Sequence, residues 1–290
     1  MFGDDVDMRR ASTTVRGGRL AYWRLDRGAD ATVLMLHGMG GDHRGLAELA
    51  AAVPEANVVV PDLPGYGESE PLPGAHTLTA YADAIADLRA NLDLGPVHLV
   101  GHSLGASISL VHAARHGAGL RSLTLLNPVT VATNFTAVLG KLYFRAAARL
   151  PVALTRFWLA SKPAVYVSDA FVIATRDRAR RRWILESDYR NYRLASVRGM
   201  IESFLSYYDT PFDQHAAAIG APALLLTGDR DGIAPPKSVS ELAGHIPGAR
   251  YVELPGAGHL APVELPAEVA AVVRDFLAGP TRTMVTAEGE

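Results

Sequence analysis

The chain has 290 residues, is 49% hydrophobic and carries a formal net charge of −2. That length and apolar content support one buried core with an insertion, or two small domains, and the near-neutral charge gives no global attraction to nucleic acid. The absence of cysteine excludes disulfides, cysteine nucleophiles and cysteine–zinc sites, and suits a reducing compartment.

The chain opens on Met1-Phe2-Gly3-Asp4-Asp5, which lacks the basic-then-apolar order of a secretion signal. No apolar run reaches the roughly 18 residues of a membrane span, so a cytoplasmic protein is expected. Residues 13–16 and 20–25 read as short strands around a Gly17-Gly18 turn. The continuous apolar runs at 32–36 and 58–60 read as strands buried on both faces, and 97–100, 123–126, 223–226 and 251–254 as further strands. Helical spacing appears at 46–52, 78–92, 104–116, 238–243 and 267–277, with Pro266 where a first helical turn tolerates proline. Strands alternating with helices predict an α/β fold with a mostly parallel central sheet covered on both faces.

Residues 129–215 break this rhythm. They hold no clear buried strand but four helix-like segments, at 135–150, 152–159, 165–175 and 189–208. They also hold 14 of the 21 aromatic residues, and 13 Lys/Arg against 7 Asp/Glu. This predicts a helical cap inserted between two parts of one core domain, 1–128 and 216–278. The small, polar stretch 279–290 predicts a disordered tail.

The chemistry centres on Gly101-His102-Ser103-Leu104-Gly105. An apolar strand precedes it and a helix follows, so Ser103 stands at the apex of a sharp strand-to-helix turn. Such a turn strains the backbone and lifts the hydroxyl clear of the sheet, and its glycines avoid clashes with neighbouring strand and helix: a nucleophile elbow. Serine is a poor nucleophile at neutral pH, and needs a histidine base and an acid that orients it. Two later strand-end loops supply both in the expected order. Thr227-Gly228-Asp229-Arg230-Asp231-Gly232 offers two carboxylates, and Pro255-Gly256-Ala257-Gly258-His259-Leu260 offers His259.

Taken together these motifs resemble the α/β-hydrolase superfamily, in its serine-nucleophile members with a helical cap. The resemblance covers nearly the whole chain outside the cap and tail. Family patterns G-x-x-D and G-x-G-H fall on Gly228–Asp231 and Gly256–His259, which implies Asp231 as the acid, with Asp229 the alternative. Some relatives carry the acid after the strand that here ends at Leu126; Asn127 stands there and cannot serve as an anion. His37-Gly38-Met39-Gly40-Gly41 resembles the family's HG-x motif, implying an oxyanion hole from the N–H groups of Met39 and Leu104, with the Met39 side chain lining the acyl pocket. The loop Asp62-Leu63-Pro64-Gly65-Tyr66-Gly67-Glu68-Ser69 matches D-x-x-G-x-G-x-S, a tight structural loop in which Asp62 and Ser69 bond backbone.

Of the remaining residues, His102 reads as a packed neighbour in the elbow. Gly38, His102, Trp158 and Tyr207 are the substrate-binding candidates. His43 and His215 are candidates for the pocket rim; His98, His112 and His116 read as structural or exposed. No cluster has metal-ligand spacing and no nucleotide-binding glycine fingerprint occurs, so neither metal nor cofactor is expected. The run Arg176-Asp177-Arg178-Ala179-Arg180-Arg181-Arg182 reads as a solvated helix face, or as a basic rim that attracts a carboxylate, a phosphopantetheine arm or an acidic carrier protein. Most cap aromatics read as cap core, with a subset over an apolar pocket.

Three functions fit these residues. The first is a serine hydrolase that cleaves an ester-like or activated carbonyl bond of a small, largely apolar substrate through an acyl-enzyme. The second keeps the site but changes the reaction: a lyase or eliminase, C–C hydrolase, thioesterase or cyclase acting on a biosynthetic intermediate, its substrate anionic or carrier-bound. The third is a ligand receptor that retains the fold without turnover. Serine at position 103 argues against the epoxide hydrolases and haloalkane dehalogenases of this fold, which use aspartate there. The sequence carries no signal of oligomeric state.

Overall fold

Apolar strands with no polar face can be satisfied only by cover on both sides, and the structure supplies it. The computed structural model describes residues 2–129 and 135–279. Its single sheet of eight strands runs β1 (Arg9–Val15), β2 (Gly18–Leu25), β3 (Thr32–Leu36), β4 (Asn57–Pro61), β5 (Val97–His102), β6 (Leu120–Leu126), β7 (Ala223–Gly228) and β8 (Arg250–Leu254) in chain order. In space the order is β1-β2-β4-β3-β5-β6-β7-β8. β1 and β2 form an antiparallel hairpin, β2 pairs antiparallel with β4, and the other pairings are parallel.

The two faces alternate along each strand. Leu34, Leu36, Val59, Leu99, Leu123, Leu125 and Leu225 point to one core. Their neighbours Val33, Met35, Val58, Val60, Val100, Leu126 and Leu226 point to the other. The first core is covered by α2 (Leu78–Asn91) and α3 (Leu104–His116), and the second by α1 (Arg44–Ala51) and α12 (Pro266–Ala278). α10 (Pro236–His245) and the short α11 (Ala261–Glu264) complete the core.

Between β6 and β7 come α4 (Phe135–Ala147), α5 (Val152–Ala160), α6 (Lys162–Val172), α7 (Arg178–Leu194), α8 (Val197–Ser206) and α9 (Phe212–Ala217). The helix expected over 189–208 is in fact two. Ser196 breaks it: its N–H donates to the Gly65 carbonyl at 2.7 Å, and its hydroxyl accepts from the Gly199 N–H at 3.1 Å, capping α8. Similarly, α6 starts at Lys162 rather than 165 because Ser161 caps it and Pro163 sits in its first turn. The predicted tail beyond 279 and the stretch 130–134 lie outside the described residues.

Candidate active site

Parallel strands place the loops after β3, β5, β6, β7 and β8 at one edge of the sheet. The chain runs from β3 outward to β4 and returns to β5, so a crevice opens at their carboxyl ends. Ser103 lies directly after β5 with φ 51° and ψ −114°, a conformation that L-residues adopt only at a cost of about 1–3 kcal/mol. Gly105 makes the turn possible: a Cβ there would lie 2.6 Å from the His37 carbonyl oxygen and closer still to that of Leu36.

Ser103 Oγ is 2.8 Å from His259 Nε2. His259 Nδ1 is 2.9 Å from Asp231 Oδ2 and 3.1 Å from Oδ1. All three residues are buried. With Nδ1 donating to the carboxylate, Nε2 is free to accept from the serine hydroxyl. Burial alone would raise the Asp231 carboxyl. The neighbouring His259, together with the Ala234 N–H at 2.8 Å and the Asn127 amide at 2.8 Å, outweighs it and holds the group below the usual carboxylate range. Asp229 lies outside this arrangement: it is exposed and accepts the Gly256 N–H at 2.8 Å, tying the turn after β8.

The loop after β3 reaches the same place. Gly38 packs so closely on the elbow that an added Cβ would sit 3.2 Å from Ser103 Cβ and 3.1 Å from His102 Nδ1. This sets the chain just before Met39 against Ser103. Among the described residues no backbone acceptor takes the N–H of Met39 or Leu104. His37 anchors the loop. Its Nε2 accepts from the Leu63 N–H at 2.9 Å, which leaves Nδ1 to donate to the Gly38 carbonyl at 2.8 Å. Burial lowers its pKa and keeps that neutral tautomer. The Asp62 loop bonds backbone: Asp62 accepts the N–H groups of His43 and Glu68, each at 2.8 Å, and the Ser69 hydroxyl donates to the Asp62 carbonyl at 2.7 Å.

His102 is buried, and its Nε2–H donates to the His259 carbonyl at 2.8 Å. Burial, reinforced by repulsion from His259, pushes its pKa down to about 3, so it stays neutral and holds the His259 loop. Tyr207 is buried in the core against Phe212. Trp158 lies farther out, on the rim of a cleft of about 790 Å³ between α4, α5 and α6. The described residues lining that cleft do not include Ser103, but its wall includes Tyr192. Tyr192 packs on Gly40, where an added Cβ would meet its ring at 2.7 Å from Cζ. His43 stacks on Trp23, with ring centroids 3.4 Å apart, and bonds Asp62. His215, on α9, makes no hydrogen bond to a site residue. Among the described residues no three His, Asp or Glu side chains converge as a metal site.

Two participants escaped the sequence reading. Asn127, with φ 48°, donates to Asp231 as well as to the Gly258 carbonyl at 3.1 Å. Glu264 is buried and accepts the N–H groups of Ala174 at 2.9 Å and Gly258 at 3.1 Å. Burial raises its pKa, although both N–H bonds oppose the rise. With the His259 N–H donating to the Val172 carbonyl at 3.2 Å, Glu264 ties the end of α6 to the loop that carries the histidine. The only signal for it was one acid in the apolar segment 260–266. In the basic run at 176–182, Arg176, Arg178 and Arg182 are exposed, as a solvated face requires, and one residue departs from it. Arg180 turns inward, bonding Glu48 at 2.9 and 3.1 Å and the Val263 carbonyl at 2.6 Å, while Asp177 caps α7.

A sheet of this order with a strained serine after β5 and an acid and histidine after β7 and β8 defines the α/β-hydrolase class. The family model for the alpha/beta hydrolase fold matches residues 31–266, and the chain belongs to that family. Among curated proteins, it is 28% identical over 267 residues to the dihydrolipoyllysine-residue acetyltransferase component of the acetoin cleaving system of Pseudomonas putida, covering 90% of this chain and 67% of that protein. It is 22% identical over 273 residues to Lipase 1 of Psychrobacter immobilis, covering 90% and 81%. Among solved structures, a thermophilic esterase from Thermogutta terrifontis superposes with a TM-score of 0.77 at 26% identity, covering 94% of this chain and 99% of that one. Hydrolase homologues of this kind support a hydrolase. No described helix is long and apolar enough to cross a membrane.

Proposed function

We propose that the protein is a serine hydrolase that cleaves an ester-like bond of a small, largely apolar substrate. The observation that carries this reading is the chain of contacts from Ser103 Oγ through His259 to Asp231, at 2.8 and 2.9 Å. His259 takes the serine proton as Oγ attacks the carbonyl carbon. The carbonyl electron pair moves onto oxygen, where the N–H groups of Met39 and Leu104 stabilise it; one such donor is typically worth about 3 kcal/mol. Collapse expels the alcohol, which takes the proton from His259 and leaves an acyl-serine. Water then repeats the sequence, giving its proton to His259, and releases the acid and free Ser103. Asp231 keeps the imidazole in the required tautomer and stabilises imidazolium. The inserted helices 135–217 serve as the cap that selects the acyl group. The likeness to an esterase supports the ester reading.

The test is turnover of a panel of acyl esters and thioesters of graded chain length in ¹⁸O-water. The proposal expects one ¹⁸O in the released acid and no turnover by Ser103→Ala. An alkene product, or acid without label, would move the protein to elimination chemistry on the same site. Undiminished activity of Ser103→Ala would overturn the assignment.

A further inference from the structure

A helix that packs on a protein ordinarily turns its apolar residues inward and its polar ones outward. α5 buries Leu159 and Ala160 but leaves its largest apolar side chains outside. Thr155 is buried, its hydroxyl within reach of the carbonyls of Ala147 at 3.0 Å and Pro151 at 3.2 Å, while Leu154, Phe157 and Trp158 face outward, Phe157 being 73% exposed and Trp158 44%. Neighbouring helices extend this face, with Leu142 on α4 and Val167 on α6 also exposed. Six of the eight exposed large apolar side chains among the described residues fall between positions 142 and 167. The concentration of apolar exposure on one set of helices marks an interaction surface.

The charge on the same helices identifies the partner. Residues 135–168 contain Lys141, Arg145, Arg149, Arg156 and Lys162 and no Asp or Glu, in a chain whose net charge is −2. None of the five forms an ion pair with a described carboxylate, whereas Arg44, Arg180 and Arg198 elsewhere do. Lys141 and Lys162 lie instead over the Tyr208 and Tyr166 rings, at 4.2 and 5.3 Å, and Arg156 spends its donors on the Arg193 and Ala195 carbonyls. Unneutralised cations interleaved with exposed Trp, Phe and Leu are the composition that binds an anionic lipid surface, the apolar residues entering the acyl boundary while the cations meet headgroups. The cleft between α4, α5 and α6 opens on this face, and Tyr192 in its wall abuts Gly40 beside the site.

We propose that the outer face of α4–α6 docks on a bilayer rich in anionic headgroups, as a peripheral contact. The inference stands on this surface and does not require the hydrolase reading, so it is tested by binding with Ser103→Ala as well as the unaltered protein. Cosedimentation with vesicles of phosphatidylcholine alone and with 40% phosphatidylglycerol distinguishes the outcomes. Binding to the anionic vesicles is expected to be at least tenfold tighter, to weaken as salt rises, and to fall at least tenfold both in Phe157→Ser/Trp158→Ser and in Arg145→Gln/Arg149→Gln. In the unaltered protein, fluorescence quenching by brominated lipid should vanish in Trp158→Phe, which tests the same contact without the double variants. Equal affinity for both vesicles, or binding indifferent to these substitutions, would overturn the proposal. So would absence of vesicle binding, including the case in which sedimentation velocity shows self-association abolished by Phe157→Ser/Trp158→Ser, which would assign the face to a second copy of the chain.

Discussion

The side-chain amide of Asn127 donates to Asp231 Oδ2 at 2.8 Å, so a residue that cannot itself be an anion holds in place the carboxylate proposed as the acid. Its second bond, to the Gly258 carbonyl at 3.1 Å, reaches the loop that carries His259. One amide therefore ties the Asp231 carboxylate to the loop of the histidine it is proposed to orient. Removing such a positioning amide should weaken the reaction while leaving binding largely intact. Asn127→Gly and Asn127→Ala separate the amide from the backbone, because φ is 48° and only glycine relaxes there. Both variants should lose about tenfold or more in kcat with KM little changed, and Ala should also unfold at lower temperature. Unchanged kcat in the glycine variant would remove Asn127 from the machinery.

The elbow makes a structural prediction of its own. Gly105→Ala forces a Cβ into the carbonyls of Leu36 and His37, and backbone on both sides cannot yield. Overpacking of this kind typically costs about 1–3 kcal/mol; chemical denaturation should show a loss at the upper end or beyond. Gly74→Ala has nothing within 4 Å of the added carbon and should change stability by no more than about 0.5 kcal/mol.

Burial raises the carboxyls of Asp169 on α6 and Asp188 on α7, which also act on one another, Asp169 to about 7. Asp188 also faces Asp42 and Arg190, and Asp169 faces Arg181. A carboxyl that holds its proton more tightly folded than unfolded contributes fully below its ordinary value of 3.8 and loses that contribution as pH climbs through its folded value. The pair should therefore make the protein less stable at pH 8 than at pH 5. Asp188→Asn removes the shared titration, so its Tm should fall less over that interval than that of the unaltered protein. Parallel Tm curves would contradict the raised titration of the pair.

Arg180 clasps Glu48 and the Val263 carbonyl from α7. Its ion pair is mostly shielded, with 15% and 16% side-chain exposure. Arg180→Ala should destabilise the protein by about 2 kcal/mol, since it leaves a carboxylate and a carbonyl without donors. Lysine should not restore the loss, because it lacks the two-pronged geometry. Arg182→Ala, an exposed pair with Glu186, should leave the unfolding midpoint unchanged.

Much of the scaffold was legible because both-face burial writes itself as unbroken apolar runs, as in Thr32–Leu36, matched residue for residue. The elbow was legible because a strained serine needs glycine on both sides. The approach of His259 to Ser103 was legible only through motif order, and the structure supplies its distance. What escaped depends on contacts far apart in the chain. Asn127 has no local pattern, since Asp231 lies 104 residues away, and the bond by which Glu264 reaches α6 spans 90. The inward turn of Arg180 was hidden for the same reason: an arginine in a basic run looks solvated until its partner, 132 residues distant, arrives beside it. The break in the 189–208 helix was carried by one capping serine, a signal weaker than the apolar periodicity running through it.

The central claim is that Ser103 is an activated nucleophile. Intact-protein mass spectrometry after exposure to a fluorophosphonate, with Ser103→Ala in parallel, tests it most directly. The account predicts a single covalent adduct on the unaltered protein, mapped to Ser103, and none on the variant, whose thermal unfolding is unchanged. An adduct that persists in Ser103→Ala, or an unaltered protein that stays unlabelled while the reagent labels a control serine hydrolase, would contradict it.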